Sequence, residues 1–424
     1  MDTRITPPEA ARMLTAALSA GLVREDDTSL VIHDLDRLRQ RVGEALDSFA
    51  PGSLHAVAVK ANPLPALLRH LATLGPGVGA EAASLPELEL ALATGFEPER
   101  VVFDSPAKTW AEIRYALARG VHLNADNFDE LARIAATIAE TALPLGGVGL
   151  RINPQVGAGT IAATSVAASS SKFGLPLDQC RSDILAAFVR HPWLNALHCH
   201  VGSQGCSQNQ LVRAAQIMLD LARDITAAGG RVTTLDIGGG LPATYSGTDP
   251  KPSISDYATA LRHGCPDLFT GSHRLVTEFG RAIHAPCAFA AARVEYVKDY
   301  GEMPTAVTHL GADMFLRECY TPEHWHHELA TTTADGTLKT TPPITQAIAG
   351  PLCFQGDFPA RQAQLPALKP GDWVLFLDSG AYTLSMWSRY NSRQMPAVLG
   401  ISQATGPHFL KPRQTVESVL GSWT

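Results

Sequence analysis

The chain has 424 residues, enough for two domains and a large core. It is 45% hydrophobic and 18% charged, and its formal net charge of -7 excludes the basic surplus of a general nucleic-acid or membrane-surface binder. No uninterrupted apolar run approaches the roughly 20 residues that span a bilayer. The N-terminus carries early acids and prolines (Asp2, Pro7, Pro8, Glu9) instead of a basic-then-apolar leader, so the expected location is the cytoplasm. Seven scattered cysteines with no CxxC pair fit reduced thiols, not a disulfide framework or a zinc site.

Residues 1–28 read as a helical lead-in, Ser29–His33 as a short strand and Asp34–Phe49 as an amphipathic helix. A pattern then repeats: short apolar strands alternate with Ala/Leu-rich helical segments, the signature of a parallel sheet with crossover helices. The predicted strands are Leu54–Lys60, Val78–Ala82, Arg100–Asp104, Val121–Asp126, Val148–Asn153, Ala196–Val201, Thr233–Ile237 and Leu275–Glu278. Helices fit between them, among them Pro63–Leu74, Leu85–Thr94, Trp110–Arg119, Phe128–Ala139, Asp178–Arg190, Gln208–Ala228 and Ile254–His263. The fold class is therefore α/β, a (β/α)8 TIM-type barrel. After about Pro286 long helical periodicity ends, and Val, Thr, aromatic residues, Pro and Gly rise, which predicts an all-β C-terminal domain. Residues 320–345 read as a long loop. The expected division is a lead-in over 1–35 whose strand joins the β-domain, the barrel over 36–285 and the β-domain over 286–424.

The polar residues that stand out, Lys60, Glu81, Arg151, His198, His200, Asp236 and Glu278, fall at the C-terminal ends of these strands, the face where barrel active sites lie. Lys60 is the one formal charge in His-Ala-Val-Ala-Val-Lys-Ala-Asn (55–62). Its amine is expensive to bury as a cation, so a depressed pKa and a Schiff base with a carbonyl are expected; a lysine snorkelling at a strand end is the plainer alternative. Gly238-Gly239-Gly240 follows the seventh strand, where barrels often bind phosphate, and Arg281 just past the eighth would add a charge-assisted contact. Glu278 reads as a carboxylate paired with an arginine, or as one facing the ring nitrogen of a pyridine cofactor. His198 and His200 are either metal ligands or, for one of them, a ring stacked on a flat cofactor. No carboxylate or further histidine at ligand spacing accompanies them, so no metal is assigned. A Schiff-base lysine, a phosphate loop, a ring-nitrogen carboxylate and a stacking histidine together describe pyridoxal 5'-phosphate (PLP).

The chain resembles the fold-type III PLP-dependent decarboxylases, the family of diaminopimelate, ornithine and arginine decarboxylases. The matching pieces are Val-Lys-Ala-Asn (59–62), Ser-Lys-Phe-Gly (171–174), His-Cys-His-Val-Gly-Ser-Gln (198–204), Asp-Ile-Gly-Gly-Gly-Leu (236–241), Glu-Phe-Gly-Arg (278–281), Gly-Pro-Leu-Cys (350–353), Gly-Ala-Tyr-Thr-Leu-Ser-Met (380–386) and Tyr-Asn-Ser-Arg (390–393). The resemblance implies a barrel plus a β-domain and a head-to-tail homodimer with shared active sites. It further implies that Lys60 holds the cofactor, that Glu81 and Arg151 belong to its site, and that His200 stacks on its ring. Ser203, Gly238, Gly239, Gly240, Arg281 and Tyr382 would hold the phosphate, with Glu278 at the ring nitrogen. Arg317, beside Tyr320, would grip a substrate carboxylate, and Cys353, delivered from the partner subunit, would return a proton to the substrate carbon.

The expected function is α-decarboxylation of an amino acid. A racemase would need two bases flanking the α-carbon, and a non-catalytic PLP-binding protein would not need the long β-domain. Family members usually carry an acid after the cysteine to read a distal amine, whereas this chain has Phe354, followed by Gln355, Gly356 and Asp357. The expectation is therefore a substrate that is not plainly basic, such as a conjugated biosynthetic intermediate, with Phe354 in the substrate site and Asp357 a possible stand-in for the missing acid. The alternative is a diaminopimelate decarboxylase of lysine biosynthesis.

Overall fold

The computed structural model describes residues 4–141 and 146–424. They divide into two compact units, one of Arg41–Ala243 and Lys251–Ile283, the other of Met1–Gln40, Thr244–Pro250 and His284–Thr424. The chain opens with α1 (Pro7–Ser19), β1 (Ser29–Asp34) and α2 (Leu35–Ser48). Eight strands then form a closed barrel: β2 (Leu54–Ala58), β3 (Val78–Ala82), β4 (Val101–Phe103), β5 (His122–Ala125), β6 (Val148–Asn153), β8 (Leu194–His198), β9 (Thr234–Asp236) and β10 (Arg274–Thr277). All neighbours are parallel, and pairing of β5 with β6 closes the ring. A two-residue strand, β7 (Leu175–Pro176), adds to β6.

Every residue of β2, β3 and β6 is buried, as strands covered on both faces must be, which is why the sequence there is mostly apolar, broken only by His55, Glu81, Arg151 and Asn153. The crossovers carry α3 (Pro65–Ala72), α4 (Leu85–Ala93), α5 (Trp110–Arg119), α6 (Phe128–Thr141), α7 (Leu177–Arg190), α8 (Gln208–Ala227) and α9 (Ile254–Gly264). Their starts are written locally. At α5 the Thr109 N–H donates to Glu112 Oε2 at 2.7 Å, and the Glu112 N–H donates back to Thr109 Oγ1 at 3.2 Å. Ser207 with Gln210 and Ser253 with Asp256 repeat this reciprocal cap at α8 and α9. Several strand ends differ from expectation by one to three residues, and one of these shifts bears on the site. The strand β2 stops at Ala58, and Val59–Ala61 forms a 3-10 turn, so Lys60 sits on the turn that follows the strand.

The second unit is built on a sheet of β15 (Ala360–Pro366), β14 (Pro343–Ala349), β12 (Thr305–Thr308), β11 (Ala288–Lys298), β1, β17 (Ala397–Ser402) and β18 (Gly406–Lys411), in that order. A branch of β16 (Trp373–Phe376) and β13 (Leu329–Thr332) leaves it from β11. The early strand β1 pairs antiparallel with β11 and parallel with β17. The buried face of α1 (Ala10, Leu14, Ala17) joins Leu30, Ile32, Phe289, Leu375 and Leu399 in one core. Residues 320–345 are not simply a loop. Thr331 and Thr332 are buried and pair with Val374 and Trp373, because a β-branched hydroxyl side chain reads as polar but packs well on a pleated surface. Pro343 is the first residue of β14, opposite Pro366 of β15, and a strand tolerates proline at that first position. No disulfide links the cysteines, and no helix among the described residues is long and apolar enough to cross a membrane.

Candidate active site

All eight barrel strands carry an ionisable side chain on them or just past their ends, and these gather at one end of the barrel. Lys60 Nζ pairs with a carboxylate oxygen of Glu81, the fourth residue of β3. The Lys60 side chain is 38% exposed while Glu81 is fully buried, so the amine is not dehydrated as the sequence led us to expect; its counter-ion is. Burial, helped by Asp104, pushes the Glu81 pKa up, although Lys60 opposes it.

Beneath this pair lies a buried network. Arg151, on β6, places Nη1 3.1 Å from Asp104 Oδ2 and 3.8 Å from Asp126 Oδ1, with its guanidinium 4.5 Å from the centre of the Phe173 ring. His198, at the end of β8, has Nε2 3.2 Å from Asp104 and Nδ1 3.3 Å from Asp236. Glu278, just after β10, has Oε1 3.8 Å from His198 Nδ1. Burial disfavours an imidazolium, but Asp104, Glu278 and Asp236 outweigh it and raise His198 well above its ordinary pKa. Burial and Asp236 likewise push the Glu278 carboxyl well up against the pull of His198. Asp104, His198 and Glu278 bring their ligand atoms within 4.8 Å of one another. The sequence reading missed these carboxylate neighbours because they come from other strands. Both His198 nitrogens face carboxylates, and a doubly protonated ring has no lone pair for a metal. Asp104 was within reach of the sequence, being one more charge at a strand end.

The glycine loop sits above this network. Asp236 Oδ1 accepts the Gly238 N–H at 2.9 Å, and the Glu278 N–H donates to Gly238 O at 2.9 Å. A Cβ on Gly239 would meet Glu278 O at 2.3 Å, so only glycine fits there. His200 Nδ1 accepts the Gly239 N–H at 3.2 Å, and burial lowers its pKa to about 3, which leaves a neutral ring with the proton on Nε2. Arg281 reaches Ser203 Oγ from Nη2 at 3.3 Å and from Nε at 3.4 Å. Lys60, Glu81, Arg151, His200, Ser203, Gly238, Gly239, Gly240, Glu278 and Arg281 thus belong to one unit.

The remaining predicted residues belong to the other unit. The Arg317 guanidinium, on α11 (Leu316–Tyr320), lies 4.6 Å from the centre of the Trp325 ring and 5.2 Å from that of Tyr382, a non-glycine residue at φ 56°. Tyr320 stacks on Phe354 with centroids 5.0 Å apart, and a Cβ on Gly356 would meet the Phe354 ring at 2.4 Å. Cys353 is exposed; its N–H donates to Asn391 Oδ1 at 2.8 Å, and Tyr390 Oη donates to its carbonyl at 3.0 Å. Asp357 is buried, and its two oxygens accept the Ala312 and Leu352 N–H groups, each at 2.6 Å. That carboxylate builds the loop carrying Cys353 and Phe354 and is not held open for a ligand.

These residues fit PLP on two observations. Glu278 Oε1 is buried and makes no hydrogen bond among the described residues, as an acceptor kept for a ring N–H would be. The Gly238–Gly240 turn, with φ of 66° and 94° at its ends and its Gly238 and Gly239 N–H groups held by Asp236 and His200, sets backbone free of side chains beside the Ser203 hydroxyl and the Arg281 cation, which can meet a phosphate. Gly239→Ala should therefore give a folded protein that has lost its visible cofactor absorbance and binds added PLP at least about tenfold more weakly. Unchanged cofactor content in the purified variant would contradict this placement.

The comparisons agree with that reading. A family profile described as "Pyridoxal-dependent decarboxylase, pyridoxal binding domain" matches residues 35–285. The chain is 31% identical to the diaminopimelate decarboxylase of Zymomonas mobilis, covering 90% of this chain and 88% of that protein. It is 34% identical to that of Pseudomonas aeruginosa, covering 85% and 84%. Among solved structures, Helicobacter pylori diaminopimelate decarboxylase complexed with L-lysine superposes with a TM-score of 0.85 at 26% identity, over 96% of this chain and 99% of that one. The chain belongs to the fold-type III pyridoxal-dependent decarboxylases, and it is a PLP-dependent amino-acid carboxy-lyase.

Proposed function

We propose that the enzyme decarboxylates diaminopimelate, forming lysine. What carries this reading is that relatives named diaminopimelate decarboxylase match nearly the whole chain, for example over 93% of this chain and 94% of the Neisseria meningitidis protein. Bound PLP supplies an electron sink for the bond between the α-carbon and its carboxylate. In this reading Lys60 would hold the cofactor, with Glu81 as the counter-ion of its Nζ. Glu278 Oε1 accepts the ring N–H, and His200, neutral with Nδ1 committed to Gly239, covers the ring face without competing for protons. Ser203, Gly238–Gly240, Arg281 and Tyr382 take the phosphate. Arg151 acts one step back, anchoring Asp104 under His198. Arg317 takes a substrate carboxylate, and Cys353 Sγ returns a proton to the α-carbon.

One observation favours a second reading. Phe354 stands where the family usually has an acid, and the Tyr320 ring on one side and Gly356 on the other fix it in place. A distal ammonium left unpaired in a closed site costs roughly 3–5 kcal/mol, whereas an aromatic ring returns about 0.5–2 kcal/mol. Asp357 is already engaged by the Ala312 and Leu352 amides. On this reading the substrate is a larger amino acid with a neutral or acidic far end. Measuring kcat/KM for diaminopimelate decides between the two. The first reading predicts family-typical turnover by the native enzyme and little gain in Phe354→Glu; low native activity that rises at least about tenfold in the variant would replace it with the second.

We also propose a homodimer in which Cys353, exposed on its loop, serves the Lys60 site of a second copy, as the family resemblance implies. Inactive Lys60→Ala and Cys353→Ala proteins, unfolded together and refolded, should regain about a quarter of native activity, since random pairing makes half the dimers mixed and gives each mixed dimer one site with both native residues. No recovery in mixed dimers confirmed by mass would contradict shared sites.

A further inference from the structure

His327 lies, with His324 and His326, in the 320–345 stretch that reads from the sequence as a long loop. In the structure its side chain is 3% exposed. Nδ1 lies 2.5 Å from the Leu377 carbonyl oxygen, and Nε2 lies 3.1 Å from Glu318 Oε1. The ring edges against Phe315 and Tyr245 at centroid distances of 5.3 and 5.2 Å, and Phe315 in turn stacks on Phe376 at 4.3 Å. Glu318 is the third residue of α11, next to Arg317, and Leu377 opens the segment that runs to Tyr382.

We propose that His327 is a positioning residue, tying the helix that carries Arg317 to the segment that carries Tyr382 and so holding the guanidinium against the Tyr382 ring. This rests on the roles given above to Arg317 and Tyr382. The geometry dictates the ring's charge. A carbonyl only accepts, so Nδ1 carries a proton; an ionised carboxylate only accepts, so Nε2 carries one too. Burial opposes ionisation at both ends of the pair. Glu318, the Leu377 carbonyl and Asp378 outweigh it and raise His327 above its ordinary value, and His327 holds Glu318 below its own. The other charges nearby are accounted for: Arg4 pairs with Asp378 at 2.6 Å and with Glu328 at 2.8 Å, and Arg317 favours the ionised form of Glu318. The Tyr245 phenol against the ring and the Cys319 thiol, whose pKa burial raises with help from Glu318, are the other titratable neighbours among the described residues. Because the folded-state pKa is raised, the tie is complete below the ordinary imidazole value near 6.5 and is lost as pH rises through the raised one.

The test compares the holoenzyme with Glu318→Gln, His327→Gln and Tyr382→Ala across pH 6 to 9.5. It reads the PLP dissociation constant by absorbance and the His327 ring by NMR of protein with 13C-labelled histidine. In the native enzyme His327 should titrate above its ordinary value, and PLP should bind about tenfold more weakly once it has done so. Glu318→Gln should lower that titration and remove its share of the pH dependence, because a glutamine amide can donate to a neutral Nε2. It should keep the native low-pH affinity, whereas His327→Gln binds weakly throughout. A His327 ring that titrates at or below its ordinary value overturns the proposal, as does PLP affinity in Glu318→Gln that follows pH as in the native protein. Unchanged PLP binding in Tyr382→Ala is a different failure: it removes the phosphate role of Tyr382, and the proposal with it, while the NMR titration reports separately on the ion pair.

Discussion

His198 stands between Asp104 and Asp236, its ring nitrogens 3.2 and 3.3 Å from their carboxylates, with Glu278 at 3.8 Å. These residues come from the ends of four different barrel strands, so the imidazolium can form only when the barrel has closed around it. Several buried carboxylates in so small a volume repel one another, and each would cost several kcal/mol if stranded alone. Arg151, His198 and Lys60 supply the opposing charge. The glycine loop hangs from the same network, because Asp236 holds the Gly238 N–H. Gly239 in turn must pass the Glu278 carbonyl without a side chain. A change that loosens His198 would therefore disturb Glu278 and the glycine turn together.

The second unit solves a similar problem with fewer charges. His327 pairs with Glu318, and Arg4 pairs with Asp378 and Glu328, beside the segment that runs to Tyr382. Asp357, close to Gly311 and Gly350, where a Cβ would meet its carboxylate at 2.1 and 2.4 Å, shapes the loop that bears Cys353 and Phe354. In both units several of the residues proposed to meet small molecules, among them Lys60, Gly238–Gly240 and Cys353, are carried on turns, with buried ions close by. That is how a loop site acquires the rigidity that positioning requires.

Much of this was legible in the sequence, for a physical reason. Parallel strands covered on both faces read as short apolar runs, so the barrel was visible, and the same rule brought out Lys60, Glu81, Arg151 and Glu278 at strand ends. What escaped was three-dimensional. No spacing rule joins Asp104 to His198, whose partners lie on other strands. His327 looked like one of three loop histidines because its carboxylate partner and its aromatic neighbours are not periodic with it. Thr331 and Thr332 looked like loop because threonine is polar on any scale, though its branched carbon suits a buried strand. Lys60 was read as a buried amine, whereas its buried counter-ion Glu81 is what the local sequence could not reveal. The expectation of a non-basic substrate rested on Phe354 alone, and the relatives speak for diaminopimelate.

The barrel end built around Lys60 is proposed to hold PLP through that amine. Borohydride treatment of the purified holoenzyme, followed by peptide mapping, tests it most directly. The account predicts loss of the visible absorbance band and a reduced pyridoxyl group on the peptide spanning His55–Asn62, at Lys60. Label on any other lysine, or a band that survives reduction with no labelled peptide, would contradict it.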